Sequence, residues 1–423
     1  MKKIYVLFVA VLATTYAGII PVKGQGNGLV TDTVLLNPGY THEVYYNLAS
    51  GVKSSALRGQ WDIAFRTSIQ TASIITNDGS GVMLYTYPKA DTSGWATLDT
   101  AGISGWKPLY NSLTDWELGA FNTYSKGMYD YGWGVYNIST HNLTGDSLYV
   151  IKLRNGEFRK LWIVGKASAF NKTSFRYAGL DGLAEHKVIV DCNPYISKNF
   201  LGYSLSDNVQ VDFEPADAST WDLLFTKYMG LSGTTPYSMT GVLSNYNTAA
   251  AKYHPVALDF GNWVADDLDS SRSAIGADWK YYESSIYHIE DSTVYFVQDK
   301  GGNLYKLVFK EFTGSSLGRV VFTKQKVSAL AIVKNQANDM NLVVFPNPVS
   351  DMLNLFVGPG RASVISVSLL DVSGRKIMEK LFEVQPETMS TLSIPTTDIS
   401  AGIYLIKMHV NGNTVTRKII VNN

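Results

Sequence analysis

The sequence predicts an all-β chain, two tandem β domains followed by a small C-terminal Ig-like β-sandwich. Three observations lead there. Apolar residues alternate in short runs separated by Gly, Asn, Asp and Ser, the period of two expected of half-buried strands. The hexamer QWDIAF at 60–65 returns 160 positions later as TWDLLF at 220–225. Two longer stretches, DSLYVIKLRNGEFRKLWIV (146–164) and DSTVYFVQDKGGNLYKLVF (291–309), each hold a strand, a turn at Asn155-Gly156 or Gly301-Gly302, and a returning strand.

The first residues carry Lys2 and Lys3, an apolar run from Ile4 to Ala13 and then small residues, which predicts an export signal over 1–24. No later apolar run approaches the roughly 20 residues of a membrane-spanning helix, so the mature chain is expected to lack a transmembrane span. The paired features place β repeats at 28–190 and 191–330. They are spaced 160 at the Trp-Asp strands and 146 at the hairpin glycines (302 − 156), so the second copy is shorter by 14 residues (160 − 146). In WDIAF the alternation puts Trp61, Ile63 and Phe65 on one face and Asp62 on the other; Trp221, Leu223, Phe225 and Asp222 repeat it. DGLAEHKVIV (181–190) holds the one stretch suggesting a helical turn. A polar, aperiodic segment at 331–341 reads as a linker, and 342–423 as a third β unit with turns at Ser373-Gly374 and Asn411-Gly412.

Composition narrows the function. With 36 basic and 36 acidic residues and a pI near 7, the chain carries no nucleic-acid or polybasic membrane footprint. Its one cysteine, Cys192, reads as a buried structural thiol. The six histidines, at 42, 141, 186, 254, 288 and 409, form no HExxH pair, and neither a GxSxG elbow nor a Gly-rich phosphate loop occurs. Asp266, Asp267 and Asp269 lack the Gly and distal Glu of an EF-hand and read as a solvated loop. A protein that binds, with no metal site and no enzymatic activity, is the expectation. The aromatic clusters YSKGMYDYGWGVY (124–136) and WKYYESSIY (279–287) are either core filling or platforms for sugars, porphyrin or protein partners.

Two resemblances extend this reading. Phe345-Pro346-Asn347-Pro348, Leu353 and Leu355, the Leu370-Asp371-Val372-Ser373-Gly374-Arg375 turn, Ala401-Gly402-Ile403-Tyr404-Leu405 and Lys418-Ile419-Ile420-Val421 closely resemble the C-terminal type A sorting domain of the Bacteroidota type IX secretion system. That likeness implies handling by the secretion machinery and delivery to the outer membrane surface or the medium. WDLLFTKYMG (221–230) and VYFVQDKGGNLYKLVFKEF (294–312), echoed by WDIAF and YVIKLRNGEFRKLWIV, resemble the HmuY family, exported all-β proteins whose best-known members bind heme. The resemblance implies an axial histidine shortly after a tryptophan that precedes the final hairpin. After Trp133 and Trp279 those places hold Tyr136, Asn137, Ile138 and Tyr282, Glu283, Ser284, and the histidines that follow are His141 and His288. These two are the candidate heme ligands, with Met128 or Met239 as a softer axial partner. The alternative is a surface adhesin or glycan- or protein-binding module without heme.

Overall fold

The computed structural model describes residues 28–327, 342–345, 349–357, 364–383, 390–410 and 413–422, so the expected export signal and linker lie outside the described residues. Strands and short 3-10 turns make up the fold, which is all-β. The segment at 181–190 turns once and enters a strand, His186–Asp191, whose β-branched Val188, Ile189 and Val190 favour extension over a helix. The chain divides into two compact units at Lys326/Val327.

In the first unit the two Trp-Asp strands do not pair with the hairpins that precede them. The N-terminal hairpin, His42–Asn47 with Gly51–Leu57, pairs with the distant strand Leu223–Ser232. The hairpin Phe200–Ser204 with Val209–Val211 pairs with Ile63–Arg66. Each Trp-Asp strand thus receives the hairpin that precedes the other one. The first strand, Leu29–Leu35, then pairs along its whole length with the last strand of the unit, Arg319–Val327. Both ends of the unit close one sheet.

This exchange explains why Asp62 and Asp222 are buried, although alternation had placed them on the outer face. The Leu205 amide donates to Asp62 Oδ2 at 2.8 Å, and the Leu48 amide to Asp222 Oδ2 at 2.8 Å. Asn77 Nδ2 donates to the Trp61 carbonyl at 2.9 Å and Asn245 Nδ2 to the Trp221 carbonyl at 2.7 Å. Each aspartate therefore holds the far end of the other half's hairpin. Ala in place of Asp222 leaves the Leu48 amide and the Asn47 side-chain amide without their acceptor, and we expect a loss of about 1–3 kcal/mol. A urea midpoint equal to wild type would show that water replaces the carboxylate.

Of the four apolar clusters among the described residues of this unit, three involve the Trp-Asp segments. Ile63 and Phe65 join a core with Trp133, Tyr149, Phe175 and Leu201, while Leu223 and Phe225 join one with Val44, Tyr46, Trp279 and Phe322. Trp61 and Trp221 belong to neither. The strands begin only at Ile63 and Leu223, so the alternation does not reach back to the tryptophans, which instead meet Tyr45, Phe200, Phe213 and Tyr228 in a seam cluster. At that seam Gly79 lies so close to the main chain that a Cβ there would stand 1.9 Å from the Lys227 carbonyl oxygen.

The second unit has two sheets, one of three strands (Leu342–Phe345, Met352–Val357, Ser390–Pro395) and one of four (Lys376–Glu383, Val364–Asp371, Gly402–Val410, Asn413–Val421). Alternate residues Leu353, Leu355, Ile365, Val367, Leu369, Ile406 and Met408 fill one core. In the turn at 371–375, Asp371 Oδ1 accepts the Ser373 and Arg375 amides at 2.9 and 3.0 Å, and Gly374 takes φ 83°. These bonds, led by that from the Ser373 hydroxyl, hold the Asp371 carboxyl down to about 2.

Candidate binding groove

Trp279 anchors the site. Fully buried, its ring stacks on Phe309 at 4.2 Å, and its indole N–H donates to the Gly276 carbonyl. The hairpin that follows, Lys280–Glu283 with Ile286–Ile289, is a separate two-stranded sheet. It turns at Ser284 and Ser285, with φ 50° and 68°, the two left-handed residues of a tight primed turn made here without glycine.

Facing this hairpin, Leu223–Ser232 and Thr235–Ser244 form a long two-stranded arm that carries Tyr237 and Met239. Tyr40 and the segment 312–316 complete a groove of about 980 Å³. The described lining includes five tyrosines, Tyr40, Tyr237, Tyr281, Tyr282 and Tyr287, with seven serines and threonines, Lys227 and Lys280, and no aspartate or glutamate. Tyr282 and Tyr237 are 63% and 61% exposed, which leaves their faces available. Tyr287 is fixed edge-on to Phe312 at 4.8 Å and lies against Gly314, where a Cβ would sit 3.1 Å from the ring at φ +64°.

Lys280 forms the floor. Its Nζ donates to the Thr240 carbonyl at 2.5 Å and lies 4.2 Å from the Trp279 ring and 4.9 Å from that of Phe312. Burial pushes this ammonium down to about 7, with the Asp278 charge opposing. Burial, with Tyr287 alongside, pushes the Tyr40 phenol well up.

The structure places His141 and His288 on different hairpins. His141 sits in the turn between Gly134–Asn137 and Asn142–Gly145 at φ 58°, its Nδ1 hydrogen-bonded with the Tyr136 hydroxyl at 2.6 Å. His288 lies on the groove hairpin opposite Tyr281, with the two rings stacked at 5.2 Å. Met239 lines the groove, whereas Met128 is 91% exposed elsewhere. Asp267 accepts the Tyr253 hydroxyl and Asp269 the Ser271 amide, and no group of three or more metal-ligating side chains occurs among the described residues. Cys192 is buried, its thiol pushed up to about 11. Sequence reasoning found Tyr281, Tyr282 and Tyr287 through the 279–287 cluster but missed Tyr40, Tyr237 and Phe312, which carry no local signal.

The chain is all-β, with a groove in its first unit and a C-terminal sandwich as its second, and that second unit carries the recognisable family signal. Residues 343–422 match the secretion system C-terminal sorting domain, which marks the protein for export to the cell surface or extracellular space by the type IX machinery. No curated protein sequence matches the chain. Among solved structures, it is similar to PorZ, a surface component of the type IX secretion system of Porphyromonas gingivalis, at 10% identity and a TM-score of 0.16, covering 68% of this chain and 44% of that one. It is also similar to the C. elegans fusion protein EFF-1 ectodomain, at 8% identity, 0.16, and 93% and 89% coverage. A third likeness is to the pneumococcal glycogen-degrading virulence factor SpuA, at 11%, 0.15, and 80% and 36%. The chain spans less than half of the PorZ and SpuA chains, and TM-scores this low carry no argument about fold or function.

Proposed function

We propose that this exported protein binds carbohydrate in the tyrosine-lined groove, acting by binding and not by catalysis. The observation that carries the reading is the combination of exposed tyrosine rings with hydroxyl side chains in a cleft of about 980 Å³. Flat phenol faces stack on sugar rings and hydroxyls bond their edges. The lining has no carboxylate pair of the kind glycoside hydrolysis uses. Tyr282→Ala and Tyr237→Ala should each weaken glycan binding by the full chain by about tenfold, the upper range for a ring contact. Unchanged affinity in both, by calorimetry, would remove the groove from the reading.

A second reading follows from the HmuY resemblance and is favoured by His288 and Met239, which lie at this hairpin and this groove. On that reading hemin added to the chain gives a shifted, saturable Soret band that His288→Ala abolishes, with His141→Ala testing the other hairpin. No band in wild type ends the heme reading. A band unchanged in the double variant shows that other residues hold the iron.

A further inference from the structure

We propose that the groove takes an acidic polysaccharide, one bearing carboxylate or sulfate groups, with Lys227 as the residue that reads the negative charge. This rests on the carbohydrate reading above and adds the class of sugar. The lining contains two ammonium groups and not one carboxylate. Three other half-buried or buried lysines of the unit are neutralised: Lys198 by Asp212 at 2.5 Å, Lys252 by Asp278 at 2.6 Å and Lys324 by Asp32 at 2.8 Å. Lys227 differs. Among the described residues its Nζ has neither a hydrogen-bond acceptor nor an ion-pair partner, and it lies over the Tyr40 ring, 5.7 Å from the centroid.

Half-burial and the like charge of Arg58 both press on this ammonium, whose proton is held less tightly than usual. A cation held without a counter-charge beside stacking rings is relieved by a ligand that brings an anion, and charge-assisted hydrogen bonds are stronger than neutral ones. Lys280, already donating to the Thr240 carbonyl, adds positive potential from the floor below about pH 7, where it is protonated. Neutral glycans offer Lys227 hydroxyl acceptors but no counter-charge, so charge selects among sugars that stack equally well. The chain's balance of 36 basic and 36 acidic residues supplies no general attraction for polyanions, which confines the effect to this groove.

The test uses the full chain on immobilised polygalacturonate, hyaluronate and chondroitin sulfate, with amylose, galactomannan and methyl-esterified polygalacturonate as neutral counterparts. At least one acidic polymer should be retained tenfold or more above every neutral one. Lys227→Met should abolish that difference, while Lys53→Met, an equal charge change at an exposed strand, should keep it. Equal retention of neutral and acidic polymers, or equal loss in both lysine variants, overturns the inference and leaves the carbohydrate reading standing. Retention of none, with Tyr282→Ala indistinguishable from wild type, overturns both. Native tryptophan emission in Lys227→Met shows that any loss comes from the ammonium and not from unfolding.

Discussion

Trp221→Ala should cost about 3–5 kcal/mol, the range for deleting a large buried aromatic ring. Trp221 is 1% exposed and meets Tyr45 edge-on at 5.1 Å, and Tyr45 lies on the N-terminal hairpin that the Leu223–Ser232 strand has taken from the other half. Removing the indole opens a void at the seam beside a fully buried tyrosine, and the backbone around it is pinned by Asp222 and Asn245, so collapse is limited. Trp61→Ala should act similarly through Phe213, stacked on it at 4.7 Å. Because the seam cluster couples two cores, the variants should also broaden the urea transition as the cores lose cooperativity. A midpoint shift worth less than 1 kcal/mol in both would show that the seam is not where the halves are held together.

The same residues show what a sequence can and cannot reveal. The Trp-Asp strands and the turns at Gly156 and Gly302, with φ of 89° and 77°, were legible because strand alternation and turn chemistry are local. The partners of Asp62 and Asp222 were not. Leu205 stands 143 residues from Asp62 and Leu48 174 from Asp222, and no local pattern tells a strand to accept the other half's hairpin. An aspartate in an alternating strand reads as outward because burying a carboxylate is costly unless distant amides satisfy it. The groove divides likewise. The cluster at 279–287 lies in one run, whereas Tyr40, Tyr237 and Phe312 arrive from three other segments and become neighbours only through the exchanged pairing.

The last expectation is that the first unit is least stable near neutral pH and gains stability in both directions. At the seam a cavity of about 40 Å³ is lined by Glu43, Glu214, Asp78 and Arg272. Burial pushes the Glu43 carboxyl from its ordinary 4.5 up to about 7, against opposing hydrogen bonds from Thr226 and Tyr45 and the charge of Arg58. Glu214 rises likewise to about 7, opposed by the Asn199 and Phe200 amides and by Arg66, with Glu43 adding to the rise. Groups whose folded value is raised contribute stability that is full below pH 4.5 and lost as pH climbs through 7. At about 1.4 kcal/mol per unit, each glutamate accounts for at most about 3.5 kcal/mol over that window. Burial also pushes Lys280 and Lys166 down from 10.5 to about 7 and 8, so their contribution is full above 10.5 and lost as pH falls toward those values. The two limbs meet near pH 7. All nine tryptophans lie at or before Trp279, so their emission reports this unit within the intact chain. Urea midpoints at pH 5 and 9 should both exceed that at pH 7, and Glu43→Gln should flatten the acid limb alone. A midpoint that rises steadily from pH 5 to 7 would mean that both carboxylates are ionised and compensated in the folded seam, and the account of that cavity would fall.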